Sequence, residues 1–115
     1  MLCNTQVVNI WTYHREEGVE RVYVGRACRG YPQSPLANPW RAPEKEREQT
    51  LARYRVWLRE ALQDKDSPQA QEILRLAKKV AAGERLALLC WCKPKNCHGD
   101  IVQEAVDRLA LTIGG

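Results

Sequence analysis

The sequence predicts a small Rossmann-like α/β domain: a short, mainly parallel sheet of three or four strands with three helices packed on it, in a two-layer or three-layer sandwich. Three observations carry this expectation. The run from Arg85 to Trp91 is apolar without alternation, as in a strand buried on both faces at the centre of a parallel sheet, with parallel neighbours and helices on either side. Two short stretches, Gln6 to Trp11 and Glu20 to Val24, are rich in Val and Ile. Finally, the stretches that begin near Glu44, Ser67 and Ile101 repeat apolar residues at helical spacing.

The first strand is expected over Gln6 to Trp11, with Val7, Val8 and Ile10, and the second over Glu20 to Val24, with Val22, Tyr23 and Val24. Between them the polar segment Tyr13 to Gly18 reads as a hairpin-like connection. From Gly25 to Pro43 periodicity disappears, while Gly, Pro and aromatic residues accumulate, and a patternless segment of this length is more often a functional loop than a spacer. Glu44 to Leu62 follows as a helix, with Leu51, Tyr54, Leu58, Ala61 and Leu62 on one face and Trp57 beside it. Its Arg53, Arg55 and Arg59 are read as part of a solvated face.

Ser67-Pro68 is a helix entry, since the Ser hydroxyl can cap a backbone N–H and Pro stands where no donor is needed. Ala70, Ile73, Leu74, Ala77, Val80 and Ala81 form the buried stripe of that helix, and Gly83 ends it. After the strand at Arg85 to Trp91, a last helix carries Ile101, Val102, Ala105, Val106 and Leu109 and runs to about Leu111, with Thr112 to Gly115 frayed.

A chain of 115 residues and 13.2 kDa supports one core, so a single domain over residues 1–115 is expected. With no Phe, the four Trp and four Tyr supply the aromatic packing. No apolar run approaches the roughly 18 residues of a membrane span, and the N-terminus lacks a secretory pattern, so a cytoplasmic location with no membrane partner is expected. The odd count of five cysteines argues for reduced thiols rather than a disulfide framework. A net charge of +4 is a weak pointer to phosphate-bearing partners, and nucleic acid stays among them.

The chemistry concentrates in Cys90-Trp91-Cys92-Lys93-Pro94-Lys95-Asn96-Cys97-His98-Gly99-Asp100, where a strand end passes through a Pro-broken turn to a helix start. The free N–H groups and positive dipole end of that start favour a thiolate or an anion. Three functional readings stand. Cys97 can be a nucleophile, with His98 or Asp100 moving the proton. Cys90, Cys92, Cys97 and His98 can bind zinc, although one pair is separated by Trp91 alone and the other is adjacent, which leaves little room for a tetrahedron. Otherwise the turn cradles a phosphate or carboxylate, with Cys92, Lys93 and Gly99 beside it and the thiols simply packed.

The end of the second strand supplies a partner for this turn. Gly25 and Arg26 stand where that strand enters the long loop, and an Arg at a strand end can grip a phosphate or carboxylate bidentately. If the second and third strands are parallel, both exits share the edge at which open α/β sheets bind ligands. Arg26, the loop residues Ser34, Asn38 and Trp40, and the Cys-His turn would then line one crevice. His14 reads as a surface residue, and Cys3 and Cys28 show no partner pattern.

Tyr23-Val24-Gly25-Arg26, Ser34-Pro35-Leu36-Ala37-Asn38-Pro39-Trp40, Tyr54-Arg55-Val56-Trp57-Leu58 and Leu89 to Asp100 together resemble the domain of unknown function 4326 family of small bacterial and phage proteins. The likeness runs from about Val7 to Leu109, with Ala37 where the family more often has Gly. It implies the same order of elements and no settled activity. The closing Cys-His turn is also similar to that of a second uncharacterised α/β family, pictured as Rossmann-like with the turn lining a ligand site. The expectation for function is therefore a nucleotide, nucleoside or related anionic metabolite bound at the strand C-terminal edge, with Cys97 or Asp100 reactive and His98 as relay if the site is catalytic. The alternative is a non-catalytic nucleic-acid- or protein-binding module with a structural Cys/His cluster, zinc included; a small inhibitor of a host protein is a third possibility. Oligomeric state is left open by the sequence.

Overall fold

The structure, a computed structural model, describes residues 4–27, 30–40, 43–91 and 97–114. Among the described residues, β1 (Thr5–Asn9), β2 (Val19–Tyr23) and β3 (Arg85–Cys90) form one sheet in the order β1-β3-β2. Both outer strands run parallel to β3, with Val7 and Val22 each opposite Leu88. The centre goes to the strand that can be buried on both faces, and Leu86 to Cys90 are all buried. The outer strands carry Gln6 and Asn9, or Glu20 and Arg21, and such polar residues fit an edge.

This order overturns the hairpin-like connection expected between the first two strands. Parallel strands cannot be joined by a tight turn, because the chain must travel back to the starting edge. Residues 10–18 make that return without a helix. Glu16 on this segment accepts a hydrogen bond from Gln6 Nε2 at 3.2 Å and lies 3.6 Å from Arg85, so the segment passes over one face of the sheet. Gly18, with φ of +78°, serves the entry to β2 rather than the tip of a hairpin.

The other face carries the helices. A single 3₁₀ turn, Glu44–Glu46, leads into α1 (Arg47–Gln63), followed by α2 (Pro68–Ala81) and, beyond β3, by α3 (His98–Gly114). The Ser67 hydroxyl accepts the Ala70 N–H at 3.0 Å and donates to the Ala61 carbonyl at 2.7 Å, so one side chain starts α2 and ties it to the end of α1. Gly83, at φ of +94°, turns the chain from α2 towards β3. The last helix continues to Gly114, past the expected end at Leu111.

Strand alternation divides the burial. Leu86, Leu88 and Cys90 point with Val22 and Val24 into one cluster that also contains Tyr54 and Leu58 of α1, Ile73 and Leu76 of α2, and Val102 and Val106 of α3. Each fully buried Leu or Ile there contributes about 1.5–3 kcal/mol of hydrophobic stabilisation. Ala87 and Leu89 are buried on the opposite face, under the side that residues 10–18 cross. The result is the two-layer form of the expected sandwich, with helices on one face and residues 10–18 crossing the other. Thr5 fixes α3 along β1, its hydroxyl lying 2.8 and 2.9 Å from the Asp107 carboxylate oxygens while its carbonyl accepts from Gln103 Nε2.

Candidate functional site

The start of α3 is built by close packing against the sheet. Asp100 Oδ2 accepts the Cys97 N–H at 3.2 Å, and the Asp100 N–H is donated back to the Cys97 carbonyl at 3.0 Å, a reciprocal closure of the first turn. The carboxylate thus already occupies part of the positive end of α3. A Cβ on Gly99 would stand 2.9 Å from Val7 Cγ1 and 3.3 Å from Cys97 Sγ, so only glycine lets the helix approach β1 this closely. The Cys90 and Cys97 sulfurs lie 3.1 Å apart, and both residues are essentially without solvent contact.

His98 reaches across to the end of β2. Its Nε2 lies 2.6 Å from the Val24 carbonyl, and a carbonyl can only accept, so Nε2 carries the proton of that bond. The Tyr54 ring stands edge-on to the imidazole with centroids 5.3 Å apart, and its hydroxyl donates to the Leu36 carbonyl at 2.6 Å. Burial, with Cys97 nearby as a smaller cause, holds the Tyr54 phenol well above its ordinary range.

The exit of β2 and the loop that follows close the same edge. Gly25 lies against the Tyr23 ring, where a Cβ would be 2.6 Å from the Tyr23 hydroxyl. The Gly25 carbonyl accepts the Ser34 N–H, the Ser34 hydroxyl accepts the Leu36 N–H, and Arg26 Nε donates to the Asn38 carbonyl at 2.9 Å. The terminal nitrogens of Arg26 have no partner among the described residues. Asn38 Oδ1 accepts the Trp40 N–H, which turns the chain towards α1. Trp40 itself packs on Trp57 at 6.1 Å and under the Arg53 guanidinium at 5.5 Å, one residue removed from the Tyr54–His98 contact.

Two residues that sequence reasoning did not single out stand at this edge. Trp11 and Trp91 meet edge-on at 5.0 Å and are 55% and 42% exposed. Trp91 Nε1 donates to the Tyr23 hydroxyl at 2.6 Å, the Tyr23 hydroxyl donates to the Arg26 carbonyl, and Asn9 Nδ2 donates to the Trp91 carbonyl at 3.4 Å. The aromatic pair therefore continues the wall that holds Gly25 and Arg26. Each Trp follows a strand end in the sequence, which is a usable signal, but only the pairing of β1 with β3 brings the two together.

Of the sequence-predicted residues, Gly25, Arg26, Ser34, Asn38, Cys97, His98, Gly99 and Asp100 converge on the C-terminal edge of the sheet, with Trp40 set back against α1. Cys92 and Lys93 lie outside the described residues, as do Cys3 and Cys28. Among the described residues no group of three or more His, Cys, Asp or Glu is placed to hold a metal ion. None of the described helices is long and apolar enough to cross a membrane.

Fold and site together define a two-layer α/β domain whose parallel strand ends carry an exposed aromatic pair beside a buried Cys-His helix start. The chain belongs to the family described as Domain of unknown function (DUF4326), whose model matches residues 10–108. No curated protein and no solved structure matches it significantly.

Proposed function

We propose that this domain binds a nucleotide, nucleoside or related anionic metabolite at the C-terminal edge of its sheet. The observation that carries the proposal is the pairing of exposed Trp11 and Trp91 at the ends of the adjacent strands β1 and β3. The chain leaves those two strands towards opposite faces, over the sheet after β1 and into α3 after β3, and such divergence opens a ligand crevice in open α/β sheets. An exposed indole offers a face on which a base can stack. Arg26, tied to the same wall through Tyr23, offers its terminal nitrogens to a phosphate or carboxylate. Buried Cys97 and His98 and half-buried Asp100 stand beside that wall, so ligand binding is the part of the reading with the strongest geometric support.

The test is a titration with adenosine, AMP, ATP and a sugar phosphate, with and without zinc, read by Trp fluorescence and Tm. The expected result is quenching and a raised Tm for at least one compound, with Trp91→Ala weakening binding about tenfold or more, the scale of one lost stacking contact. A panel that moves neither signal overturns the proposal.

The burial of Cys90, Cys97 and His98 favours a structural role for the cluster, and with the net charge of +4 it supports a second reading, a non-catalytic nucleic-acid-binding module. That reading requires DNA or RNA binding at low salt with a steep loss as salt rises, and it falls if none is seen.

A further inference from the structure

Between the helices, beginning about one turn of α3 beyond His98, a groove of about 670 Å³ runs between α1 on one side and α2 and α3 on the other. Its floor is apolar, formed by Leu58, Leu62, Ile73, Leu74, Ala105 and Leu109. Its rim is charged and unbalanced. Arg55, Arg59, Lys65 and Arg108 surround a single carboxylate, Glu104. That carboxylate is shared by Arg55 at 3.1 Å and Arg108 at 3.2 Å, and the Arg55 hydrogen bond is the main cause that holds Glu104 below the usual range. Arg59 and Lys65 form no ion pair among the described residues, although Arg59 stands near enough to Glu104 to help hold it low, so four cations face one carboxylate.

Helical spacing explains the arrangement. Leu58 and Leu62 are one turn apart on α1 and face inward, while Arg55 and Arg59 flank them on the solvent side. The arginines that pattern alone assigns to a solvated face thus border an apolar floor. A rim with more cations than carboxylates above such a floor attracts an anion whose remainder is apolar.

We propose that this groove binds one small amphipathic anion, an apolar chain or ring body carrying a carboxylate or phosphate head, with the body on the Leu58–Leu62–Leu109 floor and the head between Arg59 and Lys65. The size of the groove selects the class of occupant. A volume of about 670 Å³ lies within the range of small-ligand sites. Three turns of α3 line it, so the apolar floor runs roughly 16 Å, a length that suits the body of a small amphiphile. The proposal is independent of the crevice at the strand ends.

The test titrates the protein with dodecanoate below its micellar concentration, with dodecyl phosphate, with dodecyltrimethylammonium and with acetate, using calorimetry and native mass spectrometry. The expected result is one dodecanoate or dodecyl phosphate per chain, the cationic amphiphile at least about tenfold weaker, and no binding of acetate. The double variant Arg59→Glu/Lys65→Glu should weaken the anionic amphiphiles by about tenfold or more while its Tm stays near that of the parent. Ala105→Trp, which fills the floor, should abolish binding; AMP titration of the same variants reports separately on the strand-end site. Equal affinity for the cationic amphiphile, unchanged affinity in the charge-reversed variant, or binding only to anionic lipid vesicles would each overturn the proposal. So would a dimer in solution whose dissociation is required before dodecanoate binds, because the groove would then belong to a second copy.

Discussion

His98 Nε2 donates a hydrogen bond to the Val24 carbonyl at 2.6 Å, so the first residue of α3 is fastened to the residue just past β2, on the far side of the central strand. His98→Ala removes the donor and leaves a buried acceptor without it, at a cost of about 1–3 kcal/mol. Urea denaturation measures this. His98→Phe keeps the contact with the Tyr54 ring but not the bond, and should lose nearly as much stability. A His98→Phe variant as stable as the parent would show that the ring contact alone matters.

Gly99 sets how closely α3 approaches β1. Gly99→Ala brings a Cβ to 2.9 Å from Val7 Cγ1, and a β-branched side chain has little freedom to move aside, so a destabilisation of about 1–3 kcal/mol is expected. Val7→Ala in the same chain removes the obstacle. The double variant should therefore lose less than the sum of the single losses, and simple additivity would exclude this contact as the cause.

Tyr54 gives alkaline pH a defined effect. Its phenol is neutral in the folded protein well above the ordinary value of 10.0, whereas the unfolded chain ionises near that value. The stability contributed by keeping it neutral is fully present below about pH 10 and declines as pH rises further, because only the unfolded state releases the proton. Tyr54→Phe should lose about 1 kcal/mol at neutral pH, with its hydrogen bond to Leu36, yet fall less steeply than the parent above pH 10. Parallel curves for the two proteins would contradict this.

Cys97 is 1% exposed, and its sulfur lies 3.1 Å from that of Cys90. Peptide mass spectrometry after iodoacetamide treatment should show slow modification of Cys97 in the native protein and fast modification in urea. Prompt native labelling well below pH 8.5 would instead mark an accessible, activated thiolate.

How far the sequence discloses this molecule differs from element to element. The α2 helix is legible because its signals are local: Ser67 and Pro68 open it, and Gly83 follows it at positive φ. The central place of β3 is legible because a strand apolar on both faces has nowhere else to go. Pairing between strands is a different matter. The segment from Tyr13 to Gly18 has hairpin composition, and what overrides it is β3, whose two edges take both outer strands as partners while its apolar faces are covered. The same dependence on distant pairing governs the candidate site. The link from Gly25-Arg26 to the Cys-His turn follows from two parallel strand exits, which apolar pattern suggests. The Trp11–Trp91 pair rests on the β1–β3 neighbourhood, which a hairpin reading excludes. Arg55 and Arg59 change from a solvated face to a groove rim only once α3 is set opposite them.

The strand order also dictates when a sheet can exist. Among the described residues every ladder hydrogen bond of β1 and β2 goes to β3, which follows both of them in the sequence. During synthesis the first two strands must therefore wait, edges open, through the whole of α1 and α2 until residues 85–90 leave the ribosome. The helical hairpin can form early from local contacts, but the sheet joins distant parts of the chain in one late step. Folding of this protein is thus timed by its central strand, and a nascent chain stalled before Arg85 exposes two unpaired strands for chaperones or aggregation to claim.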